Sequence, residues 1–225
     1  MNPLEQIFKK IISASAYDLY KDDYLMDIMC EMGVVRPLKG PYAITREQLL
    51  ATGDMYCRGN YRSCMIQKRS EVLEFIKHIR DKKIQSYCEV GVWRGGLFTL
   101  MTALLIRYNR DFKYSLVVEP VDVELDFIGE YCDLDYFCSS EEIDGYEGFD
   151  LSFIDGDHSY EWARKDWENV GKKSKIAAFH DIDHETIPGV RKLWKELSQK
   201  LPSVEIIGPP AKVMGIGLIV NDDSV

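Results

Sequence analysis

The stretch Tyr87–Gly96, YCEVGVWRGG, constrains this chain more than any other. A short apolar run ends in Glu89. Glycines follow at Gly91, Gly95 and Gly96, and an apolar helical pattern through Leu97, Leu100, Met101, Leu104 and Leu105 begins at once. The pattern predicts a strand, a tight turn and a helix start. The glycines permit positive φ and let a ligand come close to the backbone. The helix that follows opens with N–H groups lacking intrahelical partners. The turn is neither the dinucleotide G-x-G-x-x-G nor a phosphate-binding loop, which would need Lys-Ser/Thr. An acidic strand end suits a ligand with hydroxyls or an ammonium group rather than a pyrophosphate.

Around this turn, helix and strand alternate from about Ser63 onward. Strands are expected at Ser86–Glu89, Tyr114–Glu119, Tyr136–Ser139, Leu151–Asp155 and Ile176–His180. Helix faces are marked by Val72, Phe75, Ile76 and Ile79, by Ala163, Trp167 and Val170, and by Val190, Leu193, Trp194 and Leu197. By spacing, Trp162 and Trp167 both read as core. Two last strands, Val204–Ile207 and Val213–Val220, are joined by Gly208-Pro209-Pro210 with no helix between, which makes them antiparallel neighbours. The fold class is therefore α/β, a doubly wound and mostly parallel sheet.

The first 60 or so residues carry a different pattern. Asn2, Pro3 and Glu5 form a helix-capping sequence before a stripe of Leu4, Ile7, Phe8, Ile11 and Ile12. A second helix with Leu25, Ile28, Met29 and Met32 stops at Gly33. Thr45–Gln48 opens a third, and Gly53–Arg62 is a polar, aromatic loop. This divides the chain into an N-terminal helical cap, 1–62, and a sheet domain, 63–225.

A net charge of −9 over 225 residues argues against a nucleic-acid surface. No apolar run reaches the length of a membrane span, and no signal-peptide pattern opens the chain, so a cytoplasmic location without membrane contact is expected. The six cysteines, Cys30, Cys57, Cys64, Cys88, Cys132 and Cys138, form no C-x-x-C pair and read as reduced thiols, mostly core filler. The lysines of Gly171–Lys175 read as a solvated turn and His78 as a surface residue. Nothing in the sequence decides whether the chain forms a homo-oligomer.

In a doubly wound sheet, ligands lie beyond the carboxyl ends of the strands. The residues there are Glu89, Glu119, Ser139–Glu141, Asp155–His158 and His180–Asp183. A carboxylate at Glu119 can accept hydrogen bonds from both hydroxyls of a ribose, and it disfavours a phosphate there. The bland alternative is a solvated strand end. Asp155, His180 and Asp181 end adjacent strands and form a set that suits a divalent cation such as Mg²⁺ or Mn²⁺. Alternatively, Asp155 caps a turn and His180 is a hydrogen-bonded strand-end residue. His158, with Asp157 beside it, is placed to take a proton at neutral pH.

The ordered series E-V-G-V-W-R-G-G, a strand ending in Glu119, F-I-D-G-D-H-S-Y-E, a strand ending in His180-Asp181, and G-I-G-L-I-V resembles class I S-adenosylmethionine-dependent methyltransferases. More narrowly, it is similar to the small-molecule O-methyltransferase-like group with an I-D-G-D-H-x-Y sequence. The resemblance covers about Gln67–Val220. It implies a Rossmann-like sheet of about seven strands with the last one antiparallel. It also implies an N-terminal region that covers the cofactor. Glu89, Gly91, Gly95 and Gly96 would surround the methionine part of S-adenosylmethionine, Trp93 would line the sulfonium end or sit in the core, and Glu119 would hold the ribose. Ser139 and Ser140 would lie near the adenine, although the Gly-Asp-Ala ending of the third strand is absent here. The metal-dependent members place their ion where Asp155, His180 and Asp181 stand, usually with Asp or Asn at the middle position. The implied activity is methylation of a hydroxyl on a small acceptor, with His158 or Asp157 as base. Methylation of nitrogen or a macromolecule, and a non-catalytic cofactor-binding domain, stay open as alternatives.

Overall fold

The computed structural model describes residues 2–32, 65–143, 145–209 and 212–222 of the chain. The helix expected at Thr45–Gln48, the Gly33 stop, the Gly53–Arg62 loop, Cys57, Cys64 and Pro210 lie outside the described residues.

Seven strands form one sheet: β1 (Ser86–Val90), β2 (Tyr114–Val118), β3 (Asp133–Phe137), β4 (Leu151–Ile154), β5 (Ile176–His180), β6 (Ser203–Ile206) and β7 (Ile216–Val220). Their order is β3-β2-β1-β4-β5-β7-β6. The pairs among β1 to β5 are parallel, and β7 runs antiparallel to both β5 and β6. The central strands are buried on both faces, as parallel strands between helical layers must be. The edge strands β3 and β6 are not. β3 also differs from its expected bounds. It begins three residues before the expected Tyr136, because Asp133, Asp135 and Tyr136 are exposed at the sheet edge and show no apolar run. β7 starts at Ile216 rather than Val213, because Met214 and Gly215 take positive φ (70° and 103°) and turn the chain before pairing begins.

Alternation along the strands divides the core in two. Tyr87, Val117, Phe153 and Ala178 face the cluster built with α1 (Pro3–Ser13), α2 (Ala16–Leu19), α3 (Asp22–Met32), α4 (Arg69–Ile79) and α5 (Gly96–Tyr108). On the other side, Ile154, Ala177, Phe179 and Ile219 meet α6 (Tyr160–Asn169) and α7 (Pro188–Ser198). The N-terminal helices thus share the main core through Leu4, Phe8, Ile11, Leu25 and Met29. Each such side chain contributes about 1.5–3 kcal/mol on burial. Asn2 caps α1 by accepting the Leu4 N–H at 3.0 Å, and Pro3 follows at the first helical position. Of the four described cysteines Cys88 is buried and Cys132 packs half-buried against the main core, so core filling fails to account only for the exposed Cys30 and Cys138. His78 is exposed, as expected.

The sheet also carries a buried clasp. Lys68 Nζ lies 3.0 Å from Glu71 Oε1 and 2.8 Å from the Gly208 carbonyl. Glu71 accepts the N–H groups of Gly208 (2.9 Å) and Gly215 (3.1 Å). The start of α4 is thereby tied to both sides of the β6–β7 connection.

Candidate active site

The chain builds outward from β1 through β2 to β3, then returns to β4 and β5 on the other side of β1. A crevice forms at that reversal, and here it is a cavity of about 740 Å³. The sequence-selected residues Glu89, Gly91, Trp93, Gly96, Glu119, Ser139, Asp155, Asp157, His158, His180 and Asp181 line it. Gly95 does not. It is the N-cap of α5 at φ 80°, and a Cβ there would lie 2.9 Å from the Leu125 side chain. None of the described residues 2–32 lines the cavity, and the N-terminal part of the chain reaches it at Met65, Ile66 and Gln67.

The glycine turn has a structural duty that the sequence did not announce. Gly91 has φ 83°, and a Cβ there would lie 2.1 Å from the Asp155 carbonyl oxygen. The close approach is therefore made by the chain's own β4 turn. Trp93 has φ 51°, an unfavourable region for a tryptophan, and is 39% exposed, which removes its core reading. Its N–H donates to Glu119 Oε2 at 2.7 Å, and the Val121 N–H donates to Glu119 Oε1 at 3.3 Å. Each carboxylate oxygen has a second lone pair for a ligand hydroxyl.

Glu89 is 2% exposed and accepts the Tyr87 hydroxyl proton. Burial pushes its carboxyl well above the ordinary carboxylate range, the Tyr87 hydrogen bond opposes this, and the Asp155 and Glu119 charges add to it.

Across the reversal lies a knot of charge. His158 Nε2 is 3.2 Å from Asp181 Oδ2 and 3.5 Å from Asp155 Oδ1. His180 Nδ1 is 3.1 Å from Asp155 Oδ1, and Gln67 Nε2 donates to Asp155 Oδ2 at 2.6 Å. Burial alone would lower both histidines, but their hydrogen bonds and charge pairing with Asp155 and Asp181 raise His158 to about 11 and His180 to about 9. Burial would raise Asp155, but the His180 charge and the histidine hydrogen bonds hold it well below the usual range. Asp181 sits at φ 60°, a strained backbone for an aspartate and of the kind found at functional sites.

Two sequence expectations change here. The side chains that converge are Asp155, His158 and Asp181, with one ligand atom from each within 4.8 Å of the others. His180, expected in that set, is 2% exposed and spends Nδ1 on Asp155, while its Nε2 is sealed without a partner. His158, expected as the base, points its Nε2 between Asp155 and Asp181, whose pairing raises its pKa to about 11 and works against that role when no cation displaces the proton. Asp157 is exposed at the cavity and accepts the Ser159 N–H at 2.8 Å.

Sequence reading missed Gln67 and Asp166, which line the cavity, and gave His184, which also lines it, no role. It also misassigned Trp162. Five residues apart on a helix is about 140° around the axis, so Trp167 is buried while Trp162 is 41% exposed and lines the cavity.

Among solved structures, the O-methyltransferase NovP is 12% identical, with 90% of this chain and 100% of NovP covered and a TM-score of 0.56. The fold is that of a Rossmann-like methyltransferase. An O-methyltransferase from Bacillus cereus, solved with SAH, is 12% identical with 96% of each chain covered and a TM-score of 0.47. At that score it adds nothing to the argument. No protein-family model matches the chain, and no curated protein matches it. No helix among the described residues is long and apolar enough to cross a membrane.

Proposed function

We propose that the protein transfers a methyl group from S-adenosylmethionine to a hydroxyl of a small acceptor. The observation that supports this best is one cavity at the sheet reversal that joins Glu119, presented beside a glycine turn, to the cluster Asp155, His158 and Asp181. The cavity fits the cofactor. Glu119 keeps lone pairs for the ribose hydroxyls, and Glu89, Gly91, Trp93, Gly96 and Ser139 line the space around it. When bound, the cofactor supplies an electrophilic methyl on sulfur. The protein's main contribution is to align acceptor oxygen, methyl and sulfur.

The donor set of two carboxylates and an imidazole also fits a divalent cation, with Mn²⁺ favoured over Ca²⁺ by the nitrogen ligand. Asp155, His158 and Asp181 would hold it, and it would lower the pKa of the acceptor hydroxyl. Gln67 and His180 orient Asp155 from behind. In this reading His158 is a ligand, and Asp157 at the cavity lip is the residue placed to take the acceptor's proton.

Calorimetry with S-adenosylhomocysteine tests the cofactor assignment. Wild-type protein should bind in the micromolar range. Glu119→Ala should bind more than tenfold more weakly, since each charge-assisted hydrogen bond is worth about 1.5–3 kcal/mol. Binding of NAD with no affinity for S-adenosylhomocysteine would overturn it. Full turnover in excess chelator would remove the cation.

A further inference from the structure

Beyond β3, the polar groups that follow the strand are largely tied to one another. Cys138 and Ser139 follow the strand where a carboxylate would be expected. The Cys138 N–H donates to Glu142 at 3.0 Å, the Ser139 hydroxyl accepts the Glu141 N–H at 3.2 Å, and Glu141 pairs with Lys165 at 2.9 Å. The acid at this end comes from another element. Asp166, on α6, is 5% exposed and lines the cavity. The Ser140 hydroxyl donates to its Oδ1 at 2.6 Å, and Ser140 in turn accepts from Asn169 Nδ2 at 3.3 Å. Oδ2 has no hydrogen-bond partner among the described residues and is not sealed from the cavity. It lies beside Gly156, 3.2 Å from where a Cβ on that glycine would stand. One turn earlier, Trp162 presents an exposed ring to the same cavity, with Lys165 Nζ 4.0 Å from its centroid.

We propose that Trp162 and Asp166 together select the base of the bound nucleoside: the indole packs against a flat heteroaromatic ring, and Asp166 Oδ2 accepts a hydrogen from its exocyclic amino group. This rests on the cofactor reading above and names the residues that make it specific for adenine. The Ser140 proton commits Oδ1, so Oδ2 is the oxygen left for the ligand. A carboxylate accepts from an amino group and repels a carbonyl oxygen at the same position. A site built to hydrogen-bond one group rejects the analogue that lacks it. Stacking on the indole is tolerant of base identity. The tryptophan therefore sets affinity and the aspartate sets choice.

Calorimetry with S-adenosylhomocysteine and with S-inosylhomocysteine, which carries a 6-oxo group in place of the amino group, tests this. Wild-type protein should prefer the adenine compound at least tenfold. In Asp166→Asn, Ser140 still donates to Oδ1 and turns the amide NH₂ toward the cavity, so the preference should fall to one or reverse. Trp162→Ala should weaken both ligands at least fivefold and leave their ratio unchanged. A wild-type ratio near one, or an unchanged ratio in Asp166→Asn, overturns the proposal. If Asp166→Asn does not fold, the wild-type ratio and Trp162→Ala decide it, and a Trp162→Ala protein with normal affinity counts against it. Wild-type protein that binds neither compound removes the cofactor reading itself, whereas tight binding without discrimination removes only this inference.

Discussion

Glu89 and Asp155 end neighbouring parallel strands, line the same cavity and titrate in opposite directions. Glu89 is buried with a phenol as its hydrogen-bond partner, and burial drives its carboxyl up. Asp155 is also deeply set, but two imidazoles and an amide surround it, and its carboxyl goes down. Burial is common to both, and the cationic partners are what differ. The β1 end thus carries a carboxyl that resists ionising, and the β4 end holds charge in a fixed geometry. The first suits the neutral or cationic parts of a ligand. The second suits a metal or an ionising oxygen.

Asp155→Asn should break this contrast most sharply. It takes from both imidazoles the carboxylate they share, and removing one partner of a buried pair costs about 3–5 kcal/mol. Chemical denaturation at pH 6 should show that loss, and a change below about 1 kcal/mol would mean the pairing does not hold the β4 end together. The next effect is a gain. Mn²⁺ at about a hundred times its dissociation constant should raise wild-type stability by about 2.7 kcal/mol. His158→Ala should gain nothing, and an equal gain there would place the ion elsewhere. The smallest effect belongs to Glu89→Gln, which mimics the protonated acid and keeps an acceptor for Tyr87. Its stability at pH 4 should lie within about 1 kcal/mol of wild type.

The two carboxyls also respond to pH with opposite sign. Glu89 has a raised folded value, so its contribution is fully present below about 4.3, the unfolded value, and is lost as pH rises through the folded value. Asp155 has a lowered one, so its contribution is present above about 3.9 and is lost as pH falls through the folded value. Stability curves should therefore diverge: Glu89→Gln should gain on wild type as the solution becomes more alkaline. A constant offset between the two curves would show that Glu89 is not held protonated.

Much of this was legible in the chain because period and punctuation agree. Apolar runs closed by Glu89, Glu119, Asp155 and His180 gave the inner strands and the cavity rim, and the short Gly208-Pro209 join gave the antiparallel pair. What failed depended on direction in space. The sequence shows that His158 and His180 stand at strand ends, but not that one imidazole projects between two aspartates while the other lies beneath them. Gln67 reaches Asp155 from 88 residues away and has no local motif. Trp162 could have been placed by counting around the helix, since its five-residue offset from Trp167 already separates their faces. β3 gave little because an edge strand with Asp133 and Asp135 has no two-sided burial to leave a pattern.

The position of β7 has a consequence for how the molecule is made. β6 precedes it in the chain yet pairs only with it, and β5 has no neighbour on that side until Ile216–Val220 arrive. During synthesis, then, the apolar strand Ile176–His180 waits as a bare edge, the kind of surface on which chains stick to one another. Glu71 waits as well, without the Gly208 and Gly215 N–H groups that satisfy it. A chain cut before residue 216 should therefore come off the ribosome as a sticky, incomplete sheet rather than as a weaker version of the whole protein.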